Sequence, residues 1–254
     1  MKLIALELFK LRTQRAITII LLSAFVLAIL GFVGLAISIS VGALPPQAGI
    51  ALTDAGTQRQ LLSAGGGTIL IIVFAILGIT SEYRHKTITG TFLGVPARSR
   101  VLLAKLAAYM LVAIAYGVVL ASILTGGVLI LLSIENVVLV VPWGQILSDY
   151  ARDLVSIAMM AAWGFGIGAL LANQVGAIIV VLAEPVASSI LTGLLPNVGK
   201  WTPNQAANAF ANESDFLGGI PGMLSRGTAG LVFLGYIVLT VGLGIYVTQR
   251  RDIT

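Results

Sequence analysis

One stretch of this apolar chain is dense in groups that can grip another molecule: residues 81–105, SEYRHKTITGTFLGVPARSRVLLAK. Glu82 and Lys105 bracket it, Arg84, Lys86, Arg98 and Arg100 supply charge, and Thr87, Phe92, Leu93 and Pro96 fall between them. Such residues suit docking more than turnover: a short element across a membrane surface, with an apolar pair as anchor and arginines to meet carboxylates. The plainer reading is that the basic residues only fix which side of the membrane the stretch occupies. His85, the sole histidine, fits a solvated or interface role better than metal ligation.

A second position is Glu184, a carboxylate deep in an apolar run and followed by Pro185. A charge at the bilayer centre costs roughly 2.5–3.5 kcal/mol on insertion scales, so it is expected to face protein, water or a partner. Two readings stand together: a polar group in a substrate path, or a proline-broken helix beside an aqueous vestibule. Met159, Met160 and Trp163, near Phe165, are either bundle core or an adaptable face for apolar ligands. The sequence holds no His-Glu-x-x-His motif, no Gly-rich loop ending in Gly-Lys-Ser/Thr and no cysteine. Zinc hydrolysis, nucleotide binding on this chain and thiol chemistry are thereby disfavoured, and no spacing pairs a nucleophile with a base.

The elements that must carry these residues follow from composition. A hydrophobic fraction of 58%, a charged fraction of 10% and a mean hydropathy of +1.03 exclude an ordinary soluble fold. Apolar runs near 17–41, 61–80, 102–132, 154–172, 175–195 and 228–248 each approach or exceed the span of about 20 residues that crosses a bilayer. They predict an all-α, polytopic fold of six transmembrane helices in a single domain over 1–254, with no stretch left for a soluble nucleotide-binding fold. The first run is too long for a signal-peptide core and reads as a retained helix.

Orientation comes from the basic residues. With the N-terminus inside, eleven Lys and Arg lie in cytoplasmic segments and four (Arg59, Arg152, Lys200 and Arg226) outside, which places both termini in the cytoplasm of a cell-membrane protein. The net charge of +5 is thus explained by topology, and nucleic acid is not expected as a partner. Residues 1–16 predict an interfacial helix on the lipids, with Ile4, Leu8 and Leu11 on its apolar face and Lys2, Glu7, Lys10 and Gln14 elsewhere. Residues 196–226, rich in Pro and Gly yet carrying Trp201, Phe210 and Phe216, predict short re-entrant or interfacial helices outside, before the last span. Small residues four apart, Ala113/Gly117/Ala121 and Gly164/Gly168/Ala172, predict close helix packing.

The order Glu82, Arg84, Thr87, Phe92–Leu93, Pro96, Arg100 and Lys105, set between the second and third of six spans, resembles ABC-2-type ABC transporter permeases. The likeness extends over nearly the whole chain through its basic N-terminal segment and large outer segment. It departs at Gly90 and Gly94, which weaken a helix between Arg84 and Val95 and point to a turn. The resemblance implies that 81–101 is a cytoplasmic coupling segment whose eight named residues contact an ATP-binding cassette ATPase subunit. It also implies a second copy of the chain or a homologous permease. ATP and Mg would sit on the ATPase and no cofactor on this chain, which would itself be no enzyme. Export of an amphipathic or apolar substrate is the expected activity, with Glu184, Met159, Met160 and Trp163 as candidates for its path. Two other classes stand beside this one: a substrate-binding subunit of an energy-coupled importer, and an intramembrane hydrolase.

Overall fold

Long runs of Leu, Ile, Val and Ala leave a backbone in lipid no polar partner but itself, and the helix is the open-ended structure that satisfies every interior amide. The computed structural model describes residues 2–41, 51–62, 68–87, 97–211 and 224–250, and among these it is all-helical, with no strand. The helices are α1 (Lys2–Thr13), α2 (Arg15–Ser40), α3 (Ala55–Leu62), α4 (Thr68–Arg84), α5 (Arg98–Ile134), α6 (Trp143–Leu171), α7 (Gln174–Leu194), α8 (Pro196–Gly199), α9 (Pro203–Ala211) and α10 (Arg226–Arg250). Five of them, α2, α5, α6, α7 and α10, are long and apolar enough to cross a membrane. The chain is a multi-pass membrane protein.

Helix α6 is the hub. In its most apolar window 61% of residues are buried, against 17% in α2 and in α7, so α6 is walled by protein while α2 and α7 present most of their surface outward. Helices α4, α5 and α10 pack around it. Glycines make the approach possible: a Cβ on Gly164 would lie 2.6 Å from the Ile72 carbonyl oxygen of α4, and one on Gly166 would lie 2.5 Å from Thr240 Oγ1 of α10. Gly168 faces Ile79 in the same way, so the small-residue spacing of the fourth apolar run seats α4. On α2 the buried positions are Ile17 in the first turn and then Ala24, Ala28 and Ala36, while Ile19, Leu22 and Leu30 point outward. Beyond that first turn small side chains meet protein and large apolar ones meet the surroundings, as packing in lipid requires.

Several elements differ from the sequence reading. Among the described residues helix α3 begins at Ala55, six residues before the second apolar run, where Asp54 accepts a hydrogen bond from the Thr57 amide at 2.9 Å and caps it. Helix α6 begins at Trp143, eleven residues before the apolar run, because Pro142 supplies an extended N-cap and the polar turns at 145–153 are helical. Helix α5 begins at Arg98, so Pro96 lies before its first turn. No break occurs at Pro185: α7 runs through it, as neighbouring helices and hydroxyls allow in membrane helices. The expected short helices after residue 196 are present as α8 and α9.

The turn at 172–173 is also resolved in chemical terms. Ala172 takes a left-handed conformation (φ 50°) to end α6, and the Asn173 side chain accepts a hydrogen bond from the Gly176 amide at 3.0 Å to start α7. At the other end of the bundle, buried Gln58 donates to the carbonyls of Leu52 (2.8 Å) and Val138 (3.0 Å) and accepts from the Val140 amide (2.8 Å). One side chain thereby satisfies the irregular backbone between α5 and α6 and fastens α3 to it.

Candidate functional site

Lys105 is completely buried on α5, two turns from its start, where an unpaired ammonium would be untenable. Its Nζ donates to Glu7 Oε2 of α1 at 2.5 Å and to Glu82 Oε1 of α4. Glu7 also accepts from Lys10 at 2.9 Å. Two carboxylates and two ammonium groups therefore cancel in charge, and three helices meet at one nitrogen. Removing one partner from a buried pair of this kind costs about 3–5 kcal/mol, because the remaining charge is stranded away from water.

The local sequence explains the convergence. Residues 4, 7, 8 and 11 share one face of α1, since they follow the spacing of helical neighbours. Glu7 is accordingly only 3% exposed, beside buried Leu11, whereas Leu6 and Phe9 are 52% and 65% exposed. The sequence reading put Glu7 away from the buried face. The structure reverses that assignment: the carboxylate turns inward to meet Lys105, and two large apolar residues turn outward.

One turn along α5 from Lys105, Tyr109 seals the node from the apolar interior. Its ring packs between Phe74 (5.2 Å) and Phe165 (5.6 Å), over Gly78, whose missing side chain leaves the room. The same end of the bundle holds the C-terminal turns of α10. Tyr83 Oη and Thr248 Oγ1 are 2.6 Å apart, and Arg98 donates to the carbonyls of Thr248 (3.2 Å) and Gln249 (3.3 Å). A cation on the last carbonyls of a helix is favoured by the helix dipole. The ends of α4 and α10 and the beginning of α5 are thus joined on both sides of the segment that links α4 to α5.

Of the eight residues read as coupling positions, Glu82 and Lys105 are brought together in the node. Arg84, Thr87 and Arg100 lie exposed on the flanks. Phe92, Leu93 and Pro96 lie outside the described residues. Glu7, Tyr109 and Thr248 were not singled out by sequence; the signal for Glu7 was its place at the third residue after Ile4 and the fourth before Leu11.

Glu184 serves a neighbour on its own side of the bundle. It accepts the Ser188 hydroxyl and, at 3.1 Å, the Asn204 amide in the first turn of α9, so a carboxylate from α7 caps α9 and meets its positive end. Met160 lines a cavity between α5, α6 and α9, and Pro185 contributes to the same wall. Met159 packs against the core, and Trp163 is buried with its ring 6.2 Å from that of Phe233. Met160 alone of the four candidate path residues reaches the cavity. Among the described residues no cluster of His, Asp and Glu is arranged to hold a metal ion.

No protein-family model matches the chain, and no curated protein matches it.

Proposed function

We propose that this chain is the transmembrane permease subunit of an ATP-driven transporter, working with a second copy or a homologous permease and with ATP-binding cassette ATPase subunits that hold ATP and Mg. The observation that carries the reading is the Glu7–Lys105–Glu82 node, which binds three helices into one unit at the base of the segment proposed to receive the ATPase. A force applied between residues 84 and 98 reaches α1, α4 and α5 together, and α4 lies against the hub helix α6. Closure of an ATPase dimer would then tilt this unit against the bundle and switch access between the two sides.

In this reading α4 is the sixth crossing. Its 17 residues span about 26 Å, slightly less than the hydrocarbon thickness of roughly 30 Å, which local thinning accommodates. The excess of Lys and Arg around the node supports a cytoplasmic position for that end of the bundle and for both termini in a cell-membrane protein. Helix α1 then rests in the inner leaflet with Leu6 and Phe9 in the lipid.

The test is purification of the tagged full chain from its native membranes in mild detergent. An ATP-binding cassette ATPase in fixed proportion is the expected result, lost when Phe92 and Leu93 are both replaced by Ala while the permease stays in the membrane. Intact chain that never brings down an ATPase, or that turns over a substrate alone without ATP, overturns the proposal.

A further inference from the structure

The cavity has an unusual polar balance. It encloses about 280 Å³, near the lower end of the range for small-molecule sites. Its walls are mostly apolar, drawn from Ile72, Leu120, Leu124, Leu154 and Ile157. Successive turns of two helices face it: 116, 117, 120, 121 and 124 on α5, and 150, 153, 154, 157 and 160 on α6.

Some polar groups on the wall are already occupied. Tyr150 Oη and Thr125 Oγ1 are 2.6 Å apart, and Asn208 donates to Asn204 at 2.8 Å. Two others are not. The Tyr116 hydroxyl is buried with no hydrogen-bond partner, on a residue only 4% exposed. Asp153, the one charged residue among the described residues of the wall, makes neither a hydrogen bond nor an ion pair with another described residue. The adjacent Arg152 places its guanidinium on Asp149. A carboxylate held in a largely apolar wall without a hydrogen-bond donor costs free energy that a cationic ligand recovers.

We propose that this cavity binds an organic cation: a protonated amine on an apolar body, its N–H groups donating to the Asp153 carboxylate. Sign and shape both select this class. A carboxylate as the one charge among the described wall residues repels anions, an N–H donor meets that carboxylate, and the leucine and isoleucine walls take an aromatic or aliphatic body. That the amine is transported cargo rests on the permease reading; that it binds does not.

The experiment is equilibrium dialysis of radiolabelled phenylbutylammonium against the full chain in nanodiscs, with phenylbutanol as the neutral partner of like shape and empty nanodiscs subtracted. Wild-type protein should bind the amine saturably and about tenfold or more tighter than the alcohol, as a charge-assisted hydrogen bond implies. Asp153→Asn should shrink that preference to about threefold or less and Asp153→Glu should keep it, with both variants eluting as the wild type does. Equal binding of amine and alcohol, or an undiminished preference in Asp153→Asn, overturns the inference. Neither outcome bears on whether an ATPase co-purifies, so the two proposals fail separately.

Discussion

Two polar regions of this protein use the same kinds of groups to opposite ends. At the node a lysine lies between two glutamates beside a tyrosine, and every charge has its opposite. At the cavity an aspartate and a tyrosine share one wall, and neither makes a hydrogen bond or ion pair with another described residue. In an apolar surrounding the first arrangement fixes a joint, since every loosened contact strands a charge, while the second leaves binding capacity for something that arrives from outside. Substitutions at the two regions should therefore differ far more in stability than their chemistry alone suggests.

The largest effect is expected at the node. Lys105→Met leaves Glu82 without its cation and Glu7 with Lys10 alone, and should lower unfolding stability by about 3–5 kcal/mol in detergent denaturation. Adding Glu82→Gln to that variant should recover part of the loss, because the stranded carboxylate is removed. If Lys105→Met unfolds like the wild type, the node is no joint and the contrast with the cavity disappears.

Next comes the apolar seat that joins the two regions. Gly164→Ala pushes a methyl toward the Ile72 carbonyl of α4, the helix that carries Glu82. A cost of about 1–3 kcal/mol is expected from overpacking, read in the same denaturation assay. The two tyrosines sharpen the comparison further. Tyr150→Phe removes a hydroxyl that is paired with Thr125 and should cost about 0.5–1.5 kcal/mol, whereas Tyr116→Phe removes an unpaired one and should be neutral or stabilising. The smallest change is expected for Asp153→Asn, within about 0.5 kcal/mol of wild type, although it removes a carboxylate just as a change at Glu7 does. A large loss at Asp153 would place it among the structural charges and remove the reason to regard it as a binding group.

Long apolar runs made the membrane character and all-α class readable, because a span is a property of consecutive residues. The bounds of α2, α7 and α10 follow the runs within a few residues for the same reason. What the runs did not carry is where a helix starts ahead of its apolar stretch: Asp54 as a cap begins α3 before residue 61, and the polar turns before residue 154 join α6. The site was legible in halves. Glu82 and Lys105 stood out as charges at the ends of apolar runs, but the third member, Glu7, lay in a helix whose apolar residues nearly encircle it, so only its spacing from Ile4 and Leu11 betrayed its face. Glu184 stood out for the same reason as Lys105, and its partner, the Asn204 amide, is a backbone group that no residue type announces. The cavity was invisible apart from Met160, since Tyr116 and Asp153 come together only when α5 and α6 pack.

The central claim is that the segment between α4 and α5 receives an ATPase and passes its motion to the node. A photo-reactive residue placed at Phe92 in the full chain, activated in native membranes, tests it most directly, with the same residue at Trp201 on the opposite side of the proposed topology as the comparison. The account predicts a covalent adduct with an ATP-binding cassette ATPase from position 92 and none from position 201. Adducts from position 92 with lipid or with this chain alone, in membranes where the protein is intact, would contradict it.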